Sequence, residues 1–322
     1  MRRFVFQFAG FLALQLAVVC LLFAVCCAIY PPSKSYLAAL LDKRHLLAIQ
    51  PEPRLGIVGD SSAAFGLDSG LIAHRVGRHP VNLGLMAALD IQWTLRDAEA
   101  GLRSGDVVLV QFTPVKFTES LPSAESLMRL LTVDPQSIHS WGRPHFKDAL
   151  ERGAHLYLAR IAMTGTRILL SPRTVPEDGD REVMLRINLN ANGDMVGHAS
   201  LPSRWNAAGV RPFVFDEHKA VYSVSVVRAF SERCRARGVT VFLVSAPVPQ
   251  GLWNLSGADI EKLHRWVVAQ TGLASLNEPA ANVWPDGEFF DNQTHPGKAL
   301  AGKHSNIIAA RLEAALAGGI TR

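Results

Sequence analysis

The longest uninterrupted apolar stretch lies at the N-terminus, where Phe4 to Tyr30 carries no charged residue. That exceeds the roughly 20 residues a helix needs to cross the hydrocarbon core of a bilayer. Pro31-Pro32 ends it, because proline cannot continue a helix. After a short helical stretch at Tyr36–Leu41, the pattern changes to brief, continuous apolar runs. These are Arg54–Gly59, Pro80–Leu85, Asp106–Phe112, Val239–Ala246 and Leu273–Leu276, and they predict strands buried on both faces of a parallel sheet. Between them, apolar positions at helical spacing predict helices over Asp68–Arg78, Ile91–Ser104, His218–Arg237, Ala258–Gln270 and Pro296–Ala317. Gly105-Asp106 and Gly238 supply stop signals just before two of the strands. The alternation predicts an α/β fold, layered α/β/α, around a mostly parallel five-stranded sheet.

The alternation breaks between Pro114 and Asp216, a span too long for a simple strand-to-helix connection. Within it Phe146–Thr164 reads as a helix. Glu182–Asn190 places Val183, Leu185, Ile187 and Leu189 on one face, and Asn192-Gly193 follows as a hairpin signal. This stretch reads as an inserted lobe. The expected organisation is therefore an N-terminus and transmembrane helix over 1–32, a stalk and linker over 33–53, and an α/β domain over 54–317. The lobe occupies about 114–216 of that domain, and 318–322 is a tail.

Composition refines this picture in three places. Apolar residues make up 48% of the chain, and the excess sits in the first segment. Arg2 and Arg3 precede that segment, so the positive-inside bias leaves the N-terminus in the cytoplasm and the rest of the chain outside it. An uncleaved anchor is the reading adopted. A cleavable signal peptide is the rival, with an apolar core of typically about 7–15 residues. Cys20, Cys26 and Cys27 fall in the apolar segment, which leaves Cys234 without an internal disulfide partner. The net charge is +5, but there is no Lys/Arg block and no zinc-finger spacing. Nucleic acid is therefore not an expected partner, and no metal or cofactor is expected.

The candidate chemistry lies at the two ends of the α/β domain. Leu55-Gly56-Ile57-Val58 runs into Gly59-Asp60-Ser61-Ser62, and Phe289-Phe290-Asp291-Asn292-Gln293-Thr294-His295 runs into the last helix. A serine hydroxyl is a poor nucleophile unless a base oriented by a third group takes its proton. Ser61 on a strand-to-helix turn, His295 at a helix entrance and Asp291 before it supply those parts. Pro296 suits the first helical position, which places His295 just outside the helix. Asp286 is an alternative orienter. Ligand sites in parallel sheets form beyond the carboxyl ends of the strands, so Asn82–Ala88 and Thr113–Lys116 are expected to converge on Ser61. The plainer alternative is a capping turn at Asp60-Ser61-Ser62 and a surface or capping histidine at 295.

These two blocks resemble the SGNH (GDSL-type) hydrolase superfamily: Gly59-Asp60-Ser61-Ser62 matches its first block and Asp291…His295 its last. Within it the chain is most similar to membrane-anchored alginate O-acetyltransferase-like and DltD-like proteins of polysaccharide O-acylation. Val81-Asn82-Leu83-Gly84, Thr113-Pro114 and the inserted lobe support that narrower likeness. The resemblance implies an SGNH-like fold and a Ser61–His295–Asp291 triad. It implies oxyanion or substrate contacts at the Ser61 N–H, Ala87, Asn82 and Thr113, with Lys116 as another substitute donor. The family's second-block glycine is replaced near Ala87, and its third-block Gly-x-Asn-Asp by Thr113-Pro114-Val115-Lys116. The Asp-to-His spacing is one residue longer than the usual Asp-x-x-His.

The implied partners are a polysaccharide acceptor and an acyl donor supplied by a multispanning membrane acyltransferase. The implied place is the bacterial inner membrane, single-pass, with the catalytic domain in the periplasm. Three activities stay open: O-acyl transfer, esterase activity on a carbohydrate or lipid ester, and a non-catalytic scaffold or polymer-binding role. Trp141, Trp205, Trp253 and Trp284 could stack on sugar rings, and Arg143, His145 and Arg173 could meet an acidic polymer, though core packing and solvent exposure are the commoner explanations.

Overall fold

A computed structural model describes residues 2–29, 32–118, 124–140, 147, 151, 159 and 183–318. The chain forms two compact units, one of Met1–Ala38 with Ser123–Glu182 and one of Ala39–Pro122 with Val183–Arg322. In the first unit α1 (Arg2–Ile29) is 28 residues long, about 42 Å at 1.5 Å per residue. Its Arg3–Leu21 portion is long and apolar enough to cross a membrane. Short 3₁₀ turns at Pro32–Lys34 and Tyr36–Ala38 pack against a helix at Ala124–Val133. Most of the predicted helix Phe146–Thr164, together with Trp141, Arg143, His145 and Arg173, lies outside the described residues.

The second unit carries the sheet. In chain order its elements are α2 (Ala39–Ile49), β1 (Arg54–Gly59), α3 (Ser61–Gly66), α4 (Ser69–Arg75), β2 (His79–Asn82), α5 (Ile91–Gly101), β3 (Val107–Gln111) and α6 (Pro114–Thr118). After Val183 come α7 (Glu217–Ala236), β4 (Thr240–Leu243), β5 (Val248–Pro249), α8 (Gln250–Thr271), β6 (Val283–Trp284) and α9 (Lys298–Ala317). The sheet is parallel, four-stranded and ordered β2-β1-β3-β4. Registers of Ile57 with Asn82, Gly59 with Gln111 and Val110 with Leu243 bring all four carboxyl ends to one edge. Side chains of β3 alternate between two apolar clusters. Val108 and Val110 join Leu95, Val227 and Leu263 on one face, whereas Val107 and Leu109 join Ile72, Ile308 and Leu312 on the other.

Three expectations need correction. The fifth strand is not formed: Leu273–Leu276 makes only a parallel bridge at Ser275, with Leu243 N–H donating to Ala274 O and Leu276 N–H to Leu243 O, both at 2.9 Å. Side chains take over there. Ser275 Oγ donates to Asn277 O, and Asn277 holds the Ser245 peptide from both sides, which is the competition with ladder bonds that short polar residues offer. The alternating segment ending at Asn190 is not a strand either. Arg186–Asn188 is a 3₁₀ turn with Ile187 85% exposed. Asn190 Oδ1 accepts from the N–H groups of Asn192 and Asp194 and so forms its own turn. The Asn192-Gly193 reversal is real: Gly193 has φ +87°, and Leu189 pairs antiparallel with Met195 across it. Finally, the stretch read as a stalk contains α2, which packs on α5 and β2 through buried Leu40, Lys43 and Leu47.

At the amino edge of the sheet Arg54 and Asp106 are both fully buried and paired. The guanidinium donates to both Asp106 oxygens and to the carbonyls of Leu47 and Gly101. Asp106 also accepts from the Arg54 and Arg103 N–H groups.

Candidate functional site

The turn after β1 has no room for a side chain at Gly59, where a Cβ would stand 1.8 Å from Gln111 O on β3. Two strands thus pass at backbone contact just before the candidate nucleophile. Asp60 caps α3, accepting from Ser62 N–H through Oδ1 at 2.9 Å. Its other oxygen accepts from the Thr113 N–H at 2.9 Å and the Thr113 hydroxyl at 2.7 Å. One carboxylate therefore ties the nucleophile turn to the end of β3. Ser61 is the first residue of α3 and 9% exposed. Among the described residues its hydroxyl makes no hydrogen bond, whereas Ser62 Oγ is sealed in the interior. Of the two serines, Ser61 is the one a ligand can reach.

The acid–base pair comes from a closed loop before α9. Phe290 N–H donates to His295 O, Gly297 N–H donates to Glu288 O, and Phe289 pairs with Pro296. Within that loop the Asp291 carboxylate lies 2.7 Å from His295 Nδ1. It holds the Nδ1 proton and leaves Nε2 as the base. Burial pushes the Asp291 carboxyl up, but the hydrogen bond and charge of His295 outweigh it and hold the group below its ordinary range. Asn292 Nδ2 also approaches Nδ1, at 2.9 Å. Its Oδ1 accepts from the Thr294 N–H and hydroxyl and shapes the turn. Asp286 is engaged elsewhere, accepting from Gly251 N–H at 2.8 Å. The helix begins at Lys298, after Gly297, so Pro296 precedes the helix rather than opening it. Pro296 serves instead as a contact, 3.1 Å from a Cβ placed on Gly66.

Phe65 joins the two halves. Its ring stacks on His295 with centroids 4.2 Å apart and planes 9° from parallel. Residues four apart on a helix share a face, so Ser61 looks out from the same side of α3 that carries His295. No hydrogen bond connects Ser61 Oγ to His295 among the described residues.

The candidate oxyanion groups divide. The chain after β2 continues beside β1, with Leu83 N–H donating to Ile57 O and Leu85 N–H to Gly59 O. Further along that path Ala87 is exposed. The N–H groups of Ser61 and Ala87 have no acceptor among the described residues. Asn82 is spent on structure: its amide donates to Ala63 O and Asp194 Oδ1, and its oxygen accepts from Gly84 N–H. Thr113 is committed to Asp60. Lys116 is buried and donates to the carbonyls of Ala87 and Leu89, so it fixes the Ala87 loop from behind. α3 spans only six residues, so these individual N–H groups, rather than a helix macrodipole, are what the turn offers an anion.

Sequence reasoning missed three groups. His198 is 4% exposed and lies against Phe65 and Phe290 at 4.9 and 5.5 Å between centroids. Neither of its ring nitrogens has a well-aligned partner. Burial and the neighbouring His295 push it down to about 4, although the Pro296 carbonyl is near enough to oppose the shift. Lys43 is buried and donates to Asn82 O and Gly193 O; burial lowers it to about 7 despite Asp194 nearby. Asp194, raised by burial, accepts from Ser69, Asn82 and Asn190. No local pattern announces these groups, because their partners are distant in sequence.

Other singled-out residues are structural. His304 is buried against Gln111 and pushed by burial down to about 3. Cys234 is buried and pushed up to about 12, which keeps it a thiol. Trp253 packs on the core, and Trp284 bonds Asn282 and lies under Lys303. Trp205 meets Phe289 edge-on. Among the described residues no cluster of three His, Cys, Asp or Glu is placed to hold a metal. No protein-family model matches the sequence, and comparison with curated proteins finds no match.

Proposed function

We propose that this is a membrane-anchored serine O-acyltransferase of the SGNH-like kind, acting outside the cytoplasm on a cell-surface or exported polysaccharide. The observation that carries the reading is the Asp291–His295 pair stacked on Phe65, one helical turn from an unbonded Ser61. His295 Nε2 takes the Ser61 proton as Oγ attacks the acyl carbonyl. Asp291 stabilises the imidazolium, and the Ser61 and Ala87 N–H groups receive the oxyanion. The imidazolium returns the proton to the leaving group. A sugar hydroxyl, deprotonated by His295, then takes the acyl group from Ser61. Water in place of the sugar gives ester hydrolysis at the same site. An α1 long and apolar enough to span a bilayer supports single-pass attachment, in this reading to the bacterial inner membrane with the domain in the periplasm. A multispanning acyltransferase is the proposed source of the acyl donor.

One observation favours a second reading, a non-catalytic polymer-binding scaffold. All three side chains that could replace the missing third-block donor, Asn82, Thr113 and Lys116, are otherwise engaged, and one lost oxyanion donor typically costs about 10²–10³ in rate. The test uses the full-length protein in membranes with an alkyl fluorophosphonate and with acylated-polymer analysis. Labelling of Ser61 together with loss of polymer acylation in Ser61→Ala supports the transferase. Labelling with unchanged acylation, but lost ester cleavage, selects the esterase. No labelling, with polymer binding retained, selects the scaffold.

A further inference from the structure

A second serine–histidine contact lies on the other face of the sheet. Beyond β4, Ser245 Oγ stands 3.1 Å from His264 Nδ1 on α8. His264 Nε2 stands 3.1 Å from Glu278 Oε2, although the N–H is not aimed at the carboxylate and the contact is chiefly electrostatic. The same pair borders a cleft with about 40 Å³ of free volume. Its walls include Phe112, Phe117, Leu243, Ile260, Leu263 and Val267, all apolar. These six belong to the apolar cluster opposite the one that holds Ala63 and Leu67 around α3, while Val244 of that other cluster also lines the cleft and Phe112 and Pro114 flank the Thr113 that bonds Asp60.

Three features go beyond a histidine merely satisfied in the core. Ser245 is held rigidly through its peptide: Asn277 accepts from its N–H, and Asn277 and Asn282 both donate to its carbonyl. The hydroxyl is left to His264, its alternative acceptor Asn277 O being longer at 3.4 Å. The N–H of Ala246, which also lines the cleft, has no acceptor among the described residues. Glu278 favours the tautomer protonated on Nε2, which leaves Nδ1 to accept from Ser245. One water-sized group needs about 10–15 Å³ of such space, so the cleft takes an apolar chain of about three heavy atoms.

We propose that Ser245, His264 and this cleft form a second serine acyl site that takes short, apolar acyl esters. Ser245 Oγ bonds to the acyl carbon while its proton passes to His264 Nδ1. The ester C–O bond breaks, the leaving alcohol takes that proton, and the Ala246 N–H meets the oxyanion. Water then cleaves the acyl-serine by the same proton route, releasing the carboxylic acid and restoring both residues.

The experiment treats the full-length Ser61→Ala protein with a short alkyl fluorophosphonate, which forms an Oγ–P bond as fluoride departs, and maps the adduct by peptide mass spectrometry. The expected adduct is on Ser245. It disappears in Ser61→Ala/Ser245→Ala and forms about 10²-fold more slowly in Ser61→Ala/His264→Gln. A folded Ser61→Ala protein, judged by an unchanged melting transition, that takes no label at Ser245 overturns the proposal. So does a labelling rate indifferent to His264→Gln. Mapping the wild-type protein separates the two sites: an adduct on Ser245 alone sinks the Ser61 reading and keeps this one, and an adduct on Ser61 alone does the reverse.

Discussion

The two edges of the parallel sheet are built on opposite principles. At the amino edge Arg54 and Asp106 are sealed from water, and Asp106 accepts from the guanidinium and two backbone N–H groups. At the carboxyl edge the Ser61 hydroxyl is unbonded, and neither ring nitrogen of buried His198 has a well-aligned partner among the described residues. Buried polar groups are ordinarily paired. Polar groups left open at one edge are what the proposed site rests on, and full pairing at the other marks a structural knot. The comparison also shows that the division is not complete, since Asp60 and Thr113 bring a paired, structural element into the open edge.

The sharpest way to break the comparison is a pair of substitutions read for both activity and stability. Ser61→Ala is expected to abolish turnover, by about 10⁶-fold if the triad acts as a unit, while the melting transition moves by no more than about 0.5 kcal/mol equivalent. Strong destabilisation of that variant would show the open edge to be structural after all. Asp106→Ala should do the opposite, costing about 3–5 kcal/mol in denaturant unfolding because it leaves Arg54 charged and unpaired. Activity per folded molecule should be unchanged.

Thr113→Val sharpens the boundary between the two behaviours. It removes one of the two donors to Asp60 Oδ2, and chemical denaturation should register a loss of about 1–3 kcal/mol. A comparable effect is pH-dependent. His198 titrates near 4 in the fold against 6.5 unfolded, so the unfolded chain binds more protons between those values. Stability must then fall as pH drops from about 6.5 to 4 and level off below. His198→Leu should flatten that slope, by up to about 3 kcal/mol between its ends; a slope identical in both proteins would place the acid sensitivity elsewhere.

Much of this was legible before any coordinates. The continuous apolar runs marked β1 to β4 because strands covered on both faces have no polar side to show. Ser61 and the Asp291…His295 block were visible because local turns, capping and helix entry set their positions. The losses share one cause, long-range pairing that local pattern does not encode. Leu273–Leu276 looked like a fifth strand until Asn277 diverted its edge into side-chain bonds. Asn82 and Thr113 looked like free donors until Asp194 and Asp60, which sequence reading did not connect to them, claimed them. His198 and Lys43 gave no local signal at all. The start of α8 was missed because Gly251 and Asn254-Leu255-Ser256-Gly257 resemble a loop, although Pro249 serves as its N-cap.

The stacking of Phe65 on His295 bears on which chemical probes suit a test of the proposed site. With one face of the imidazole already covered by an aromatic ring, a flat aromatic warhead gains nothing by aiming at that side. Probes that carry an electrophile to Ser61 without relying on an aromatic face on that side are therefore the better choice for testing the proposed site.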